Sequence, residues 1–191
     1  IGILLENIYN DFSSPLPIMV LDDAFPNTPV VILDSLGHGA LVNTEALRQV
    51  NLLDAGKVPG GEVLRDEDGT LFGIVIENTQ QVFRDAAFPP TEANQNLAYD
   101  SLLEALDTLN RCGITTVSDA GGFWRQAQTE SWARAAMENT LTVRASNALY
   151  VYPDMDISTQ MADLKSRYSN EKDSLVRFNQ AKIYVDGIFE L

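Results

Sequence analysis

The two side chains that most often announce metal or redox chemistry are nearly missing from this sequence. Its 191 residues include one cysteine and one histidine. A lone Cys112 excludes an internal disulfide framework and a cysteine-rich zinc module. It sits beside Gly113 at the end of a predicted helix, where a small buried apolar residue is expected rather than a reactive thiol. A lone His38 excludes HxH and HExxH motifs, so histidines cannot complete a metal site within this chain. Basic residues are also scarce. Thirteen Lys and Arg face 27 Asp and Glu, giving a net charge of −14, and the basic residues do not cluster as a phosphate-backbone partner would require. Nucleic acid is therefore not an expected partner. No run of 18 apolar residues is present, so no membrane span is expected. No GxGxxG follows a strand pattern, which leaves a dinucleotide fold without support. No phosphate-cradling loop follows a strand either, which counts against a flavodoxin-like domain. The opening IGILLENIYN lacks a basic region and a small-residue cleavage site, and it is not read as a signal peptide. A cytoplasmic location is the expectation. The chain starts at Ile1 and stops at IFEL without a polar tail, so a piece of a longer protein is expected.

What is present is an α/β pattern. The composition, 45% hydrophobic and 21% charged, suits one globular domain or part of a larger one. After Pro89-Pro90, Thr91 is a predicted N-cap. The following stretch puts Leu102, Leu106 and Leu109 on one helical face, and Gly113 closes it. ITTVSDAGG then reads as a strand, 122–138 as a helix, 140–152 as a strand, 157–170 as a helix and 177–185 as a strand. Strands alternating with helices imply right-handed βαβ units and a parallel sheet. The first half is less regular: a short helix, a strand at 29–34, a loop entering a helix near Thr44, and two strands joined by a turn at Asp66-Glu67-Asp68-Gly69. Val30 and Ile32 alternate with Val31 and Leu33, so the 29–34 strand is expected to be well buried. Trp124 and Trp132 fall on one predicted helix, as core more than as a ligand platform. The boundary between the two halves falls around 84–92.

Four residues stand out as site candidates. In AKIYVDG, Lys182 shares a strand face with Tyr184 and Asp186, and an ammonium on a central parallel strand needs a reason to be there. Asp119 and Asp186 end strands, where side chains in a parallel barrel face the active site. Both also precede glycine-containing turns, where Asp is common for local reasons. His38 lies between Gly37 and Gly39, which leaves its imidazole accessible. A lone histidine is more often a hydrogen-bonded structural residue.

The segments GHGALVNTEAL (37–47), PGGEVLRDEDGTLFGIVIE (59–77), LNRCGITTVSDAGGF (109–123) and AKIYVDGI (181–188) occur in an order and spacing that resemble the amidohydrolase superfamily. Within it they resemble amidohydrolase family 3, a branch of metal-dependent deacylases and deformylases. The similarity covers about residues 20–188. It implies an α/β fold, a partial TIM-like (β/α) barrel of about strands two to four, preceded by a small β-rich insertion. Residues 1–88 would be that insertion, covering the pocket, and 89–191 the barrel units. The resemblance implies a metal-dependent hydrolase of a small-molecule amide-type C–N bond that uses a divalent metal, with zinc the expected ion. Lys182 falls on the fourth-strand lysine, a metal ligand once carboxylated. His38 falls on a substrate-binding position outside the barrel strands. Asp186 matches the acid of the Asp-Gly pair after the lysine strand and, with Asp119, is assigned to substrate contact. In this family an HxH pair comes from the first strand, and further histidines and an aspartate from later strands. This chain would hold only one of those ligands, so no catalytic residue is assigned, and the chain alone is expected to be inactive and to bind zinc poorly. Unpaired edges of a half barrel would permit self-association. The alternative is a non-catalytic α/β module used for binding or assembly.

Overall fold

Two sheets divide the chain. The computed structural model describes residues 2–3, 15–35, 37–54 and 57–185. These fall into two compact units, one within Ile1–Ala87 and one over Phe88–Val185. Among the described residues no helix is long and apolar enough to cross a membrane.

Unit 1 contains β1 (Gly2–Ile3), α1 (Pro17–Ala24), β2 (Val31–Leu33), β3 (Gly39–Val42), α2 (Thr44–Gln49), β4 (Lys57–Val58), β5 (Gly61–Arg65), β6 (Leu71–Glu77) and α3 (Asn78–Ala87). Its strands pair in the order β1-β2-β3-β6-β5-β4. The β1–β2 pair is parallel and the others are antiparallel. The predicted turn at 66–69 joins β5 to β6. Asp66 and Thr70 close it through a 3.0 Å backbone bond, and the Asp66 carboxylate takes the Thr70 N–H at 2.7 Å. The core gathers Ala40, Val42, Leu47, Val63, Val75 and Phe83. Gly73, at φ +81°, is where α1 comes closest: a Cβ there would stand 2.7 Å from the Ile18 Cβ. Only glycine allows that approach.

One expectation for this unit is corrected. The 29–34 strand is shorter, Val31–Leu33, and half-buried along its length rather than well buried. Its outer neighbour β1 is two residues long, and the core centres on β3 and β6 instead. The sequence assigns no element to 78–83, where the structure has the start of α3, whose Thr79, Gln80 and Phe83 are buried.

Unit 2 contains α4 (Glu92–Arg111), β7 (Thr116–Gly122), α5 (Gln128–Met137), β8 (Arg144–Tyr150), α6 (Ile157–Arg167) and β9 (Val176–Lys182). The sheet order is β7-β8-β9 and both pairs are parallel. This is the strand–helix alternation read from the sequence. α4 begins at Thr91, whose hydroxyl accepts the Asn94 N–H at 3.3 Å. Its Leu106 is buried, and Leu102, Leu103 and Leu109 pack beside it. Cys112 is exposed, not buried. Gly113 at φ +70° donates to Asn110 O and Ile114 donates to Leu109 O. That Schellman ending wraps the last turn and leaves the thiol outside the core. The helix expected from 122 begins only at Gln128, because Gly121 and Gly122 extend β7. Trp124 therefore lies in the connecting turn, not on a helix with Trp132, although both indoles are buried in the same cluster.

Candidate functional site

The ends of the parallel strands collect aromatic rings. Phe123 and Trp124 follow β7, Tyr150 ends β8 with Tyr152 two residues on, and Tyr184 follows β9. Ring centroids lie 4.9 Å apart for Phe123 and Tyr150, 4.9 Å for Tyr150 and Tyr152, 5.1 Å for Trp124 and Tyr152, and 5.5 Å for Tyr150 and Tyr184. Spacings of this order are those of favourable aromatic pairs. The Trp124 indole N–H donates to Tyr150 O at 2.8 Å, so the turn after β7 is tied to the end of β8. Gln160 of α6 grips Tyr152 from both sides, accepting its backbone N–H and donating to its carbonyl. Cations stack on this cluster: the Arg125 guanidinium 3.9 Å from the Tyr152 ring centre and the Lys182 ammonium 4.7 Å from that of Tyr184.

Lys182 is the last residue of β9, in register with Tyr150. It is half-buried, whereas Ile183, Tyr184 and Val185 beyond it are exposed. Among the described residues, no acid forms an ion pair with it. Its charge rests on the face of an exposed ring, a common contact at a protein surface.

Asp119 occupies a different environment. One carboxylate oxygen accepts the Gly121 N–H at 3.0 Å and the other accepts the Trp132 indole N–H of α5 at 3.2 Å. The side chain therefore points toward the helix layer. There it borders a cavity of about 390 Å³ that Leu97, Ala98 and Leu102 of α4 and Ser131 and Trp132 of α5 also line. Asp119 and Lys182 belong to strands separated by β8 and share no bond or ion pair among the described residues. Asp186 lies outside the described residues.

His38 belongs to unit 1, at the entry to β3. Its backbone is held at both ends. Its N–H donates to the Asp34 carboxylate at 2.9 Å, and its carbonyl accepts the Glu77 N–H at 2.7 Å. Gly37, at φ +76°, makes the preceding bend. Nδ1 of the ring lies 3.2 Å from Glu77 Oε2, and the imidazole is 33% exposed.

The sequence patterns single out neither the aromatic cluster nor Glu77. A signal for the cluster was available in the spacing of GFW, YVY and IY, each at the end of a predicted strand. Glu77 carried none, because its partner is 39 residues away. Among the described residues, no group of three or more His, Cys, Asp or Glu is placed to hold a metal ion.

Mixed α/β architecture of this kind recurs in solved metal-dependent hydrolases. An uncharacterized one from Pyrococcus horikoshii OT3 superposes with a TM-score of 0.56 at 15% identity, covering 91% of this chain and 32% of its own. Another, from Pyrococcus furiosus, gives 0.55 at 15% identity, covering 99% and 36%. The chain belongs to the amidohydrolase family, which it matches over residues 13–191. It is 26% identical over 174 residues to an N-substituted formamide deformylase from Arthrobacter pascens, covering 88% of this chain and 31% of that protein. The chain thus spans about a third of the length of these relatives.

Proposed function

We propose that this chain supplies part of the pocket of a metal-dependent hydrolase that cleaves an amide-type C–N bond in a small molecule. The observation that carries the proposal is the family match over residues 13–191. In this reading β7, β8 and β9 are part of a TIM-like barrel, and the metal is divalent, with zinc the expected ion. Lys182 is its ligand. Carboxylation would turn its ammonium into an anionic oxygen donor, and its half-buried place at a strand end, without a described acidic partner, suits that change. His38, Asp119 and Asp186 are assigned to the substrate side. For Asp119 this assignment is indirect, because its carboxylate is engaged by Gly121 and Trp132 and acts by holding the turn after β7.

The described residues alone do not make a complete donor set, so the remaining ligands are assigned to a longer polypeptide. A metal bound there would supply Lewis acidity and an activated water. The test is an N-substituted formamide hydrolysis assay with added zinc, run on the 191-residue chain and on a polypeptide extended in both directions. Turnover is expected only in the extended form. There Lys182→Ala should lose more than the roughly 100-fold typical of residues that merely support a metal ligand. Turnover by the short chain, or a fully active Lys182→Ala, would contradict the reading.

A further inference from the structure

We infer that Glu77 is a positioning residue that fixes His38 as the Nδ1–H tautomer and so presents Nε2 outward as a hydrogen-bond acceptor. Four observations converge. The carboxylate lies 3.2 Å from Nδ1, where a carboxylate accepts a proton and cannot donate one. The same two residues are joined a second time through the backbone, Glu77 N–H to His38 O at 2.7 Å. Beside them Gly39 pairs with Ile76 in the β3–β6 ladder, so ring and carboxylate are carried on neighbouring strands and not on free loops. Finally, Glu77 has φ +54°, a left-handed conformation that a residue with a side chain holds only when its surroundings demand it. Backbone strain of this kind clusters where a side chain must be aimed.

The surroundings reinforce the aim. Asp34 takes the His38 backbone N–H, and Gln80, itself 4% exposed, donates to Gly39 O at 3.0 Å. The backbone on both sides of the histidine is thus pinned, while the imidazole keeps one-third of its surface open. Among the described residues the ring has no second hydrogen-bond partner. In its neutral form, a histidine whose Nδ1–H is committed to a carboxylate has its other nitrogen defined as an acceptor. The group such an acceptor takes is an N–H or O–H donor. Resting on the amide-hydrolase reading above, that donor is the N–H of an N-monosubstituted amide substrate.

The chain's single histidine makes the test direct. Long-range proton–nitrogen correlation spectra of the 191-residue protein contain one imidazole side chain, so no assignment is needed. Recorded at alkaline pH, where the ring is neutral, the expected pattern places Nδ1 in the protonated range and Nε2 in the unprotonated range. A dominant Nε2–H form, as in a free imidazole side chain, overturns the inference. Glu77→Gly removes the carboxylate while suiting the positive φ, so the fold is retained and the tautomer should move toward Nε2–H. Glu77→Gln keeps an acceptor oxygen and should keep the Nδ1–H form. An unchanged tautomer in Glu77→Gly shows that Glu77 does not set it. In the extended, active polypeptide, Glu77→Gly is expected to raise KM roughly tenfold, the worth of one oriented hydrogen bond, with kcat little changed. An unchanged KM overturns the substrate contact. If no amide is hydrolysed at all, the hydrolase reading fails, while the tautomer spectra still decide the role of Glu77.

Discussion

In unit 1 a buried polar side chain reaches four backbone groups beside the apolar core; in unit 2 rings and leucines pack on a repeating strand–helix pattern, with Gln160 bonded to the Tyr152 backbone. Asn43, fully buried, is that side chain in unit 1. Its carbonyl oxygen accepts from Val30 N–H at 2.9 Å and Ala46 N–H at 3.0 Å, and its amide donates to Phe25 O at 3.0 Å and Thr28 O at 2.9 Å. One side chain therefore caps α2, ties the loop after α1 to β3, and uses every donor and acceptor it has. Asp22 adds a second bracket, accepting the Thr44 N–H and hydroxyl. Unit 2 buries Trp124, Trp132, Tyr150, Tyr152 and Phe178 around Leu106. The difference follows from connectivity. In unit 1, β3 pairs with β6 across intervening elements, Leu41 with Ile74, and bonds between distant loops fix where the chain returns. In unit 2 strands and helices alternate, β7 before α5 and β8 before α6, so apolar periodicity suffices.

The two units also report separately, since both tryptophans lie in unit 2 and the one histidine in unit 1. The sharpest test of the contrast is Asn43→Ala. Four backbone groups would lose their partner and α2 its cap, and we expect a loss on the order of 3 to 5 kcal/mol. In urea titrations the His38 resonance should shift to lower midpoint while tryptophan fluorescence holds. A variant that loses less than about 1 kcal/mol would mean that water replaces the asparagine and that the polar bracket is dispensable.

The reciprocal experiment is Leu106→Ala. Leu106 is 2% exposed and sits where α4 meets the aromatic cluster. A cavity there should cost about 3 kcal/mol, read as a lower midpoint in tryptophan fluorescence. If the His38 signal follows by the same amount, the two units unfold as one and the comparison describes composition rather than separable stability.

The same contrast explains what could be read from sequence. The leucine stripe of α4, its Thr91 cap and Gly113 ending, the three parallel strands and the 66–69 turn were legible because each is written within a few residues. The late start of α5 was not, since Gly121 and Gly122 read as helix-breaking punctuation at either end of a strand, and only the Trp124 bond to Tyr150 shows which. Of the candidate site, Lys182 stood out in the sequence as a charge on the second face of a strand, and it ends β9. The Trp132 bond that turns Asp119 toward the helix layer, and the Glu77 bond to His38, span 13 and 39 residues between residues that carry no joint pattern.

The smallest effect expected concerns acid. Two carboxylates of unit 2 are held below the usual range. For Glu138 the main cause is the hydrogen bond from the Arg134 guanidinium, 2.8 Å away, followed by that from the Tyr99 hydroxyl at 2.7 Å; desolvation opposes both. For Asp156 it is the Thr159 backbone N–H at 2.9 Å, followed by the Thr159 hydroxyl. Because folding lowers both, the unfolded chain binds more protons in mild acid. The stability they contribute is present in full above the ordinary carboxylate range and is lost as pH falls through the lower folded values. Both groups are exposed and screened by salt, so the contribution is modest. A double variant, Glu138→Gln with Asp156→Asn, should keep the α6 cap, since asparagine also accepts the Thr159 N–H. It should also flatten the acid limb of tryptophan-reported stability while the His38-reported limb keeps its slope. An unchanged tryptophan limb would assign the acid sensitivity of unit 2 to other groups, and a limb that flattens in both reporters would join the two units into one cooperative block.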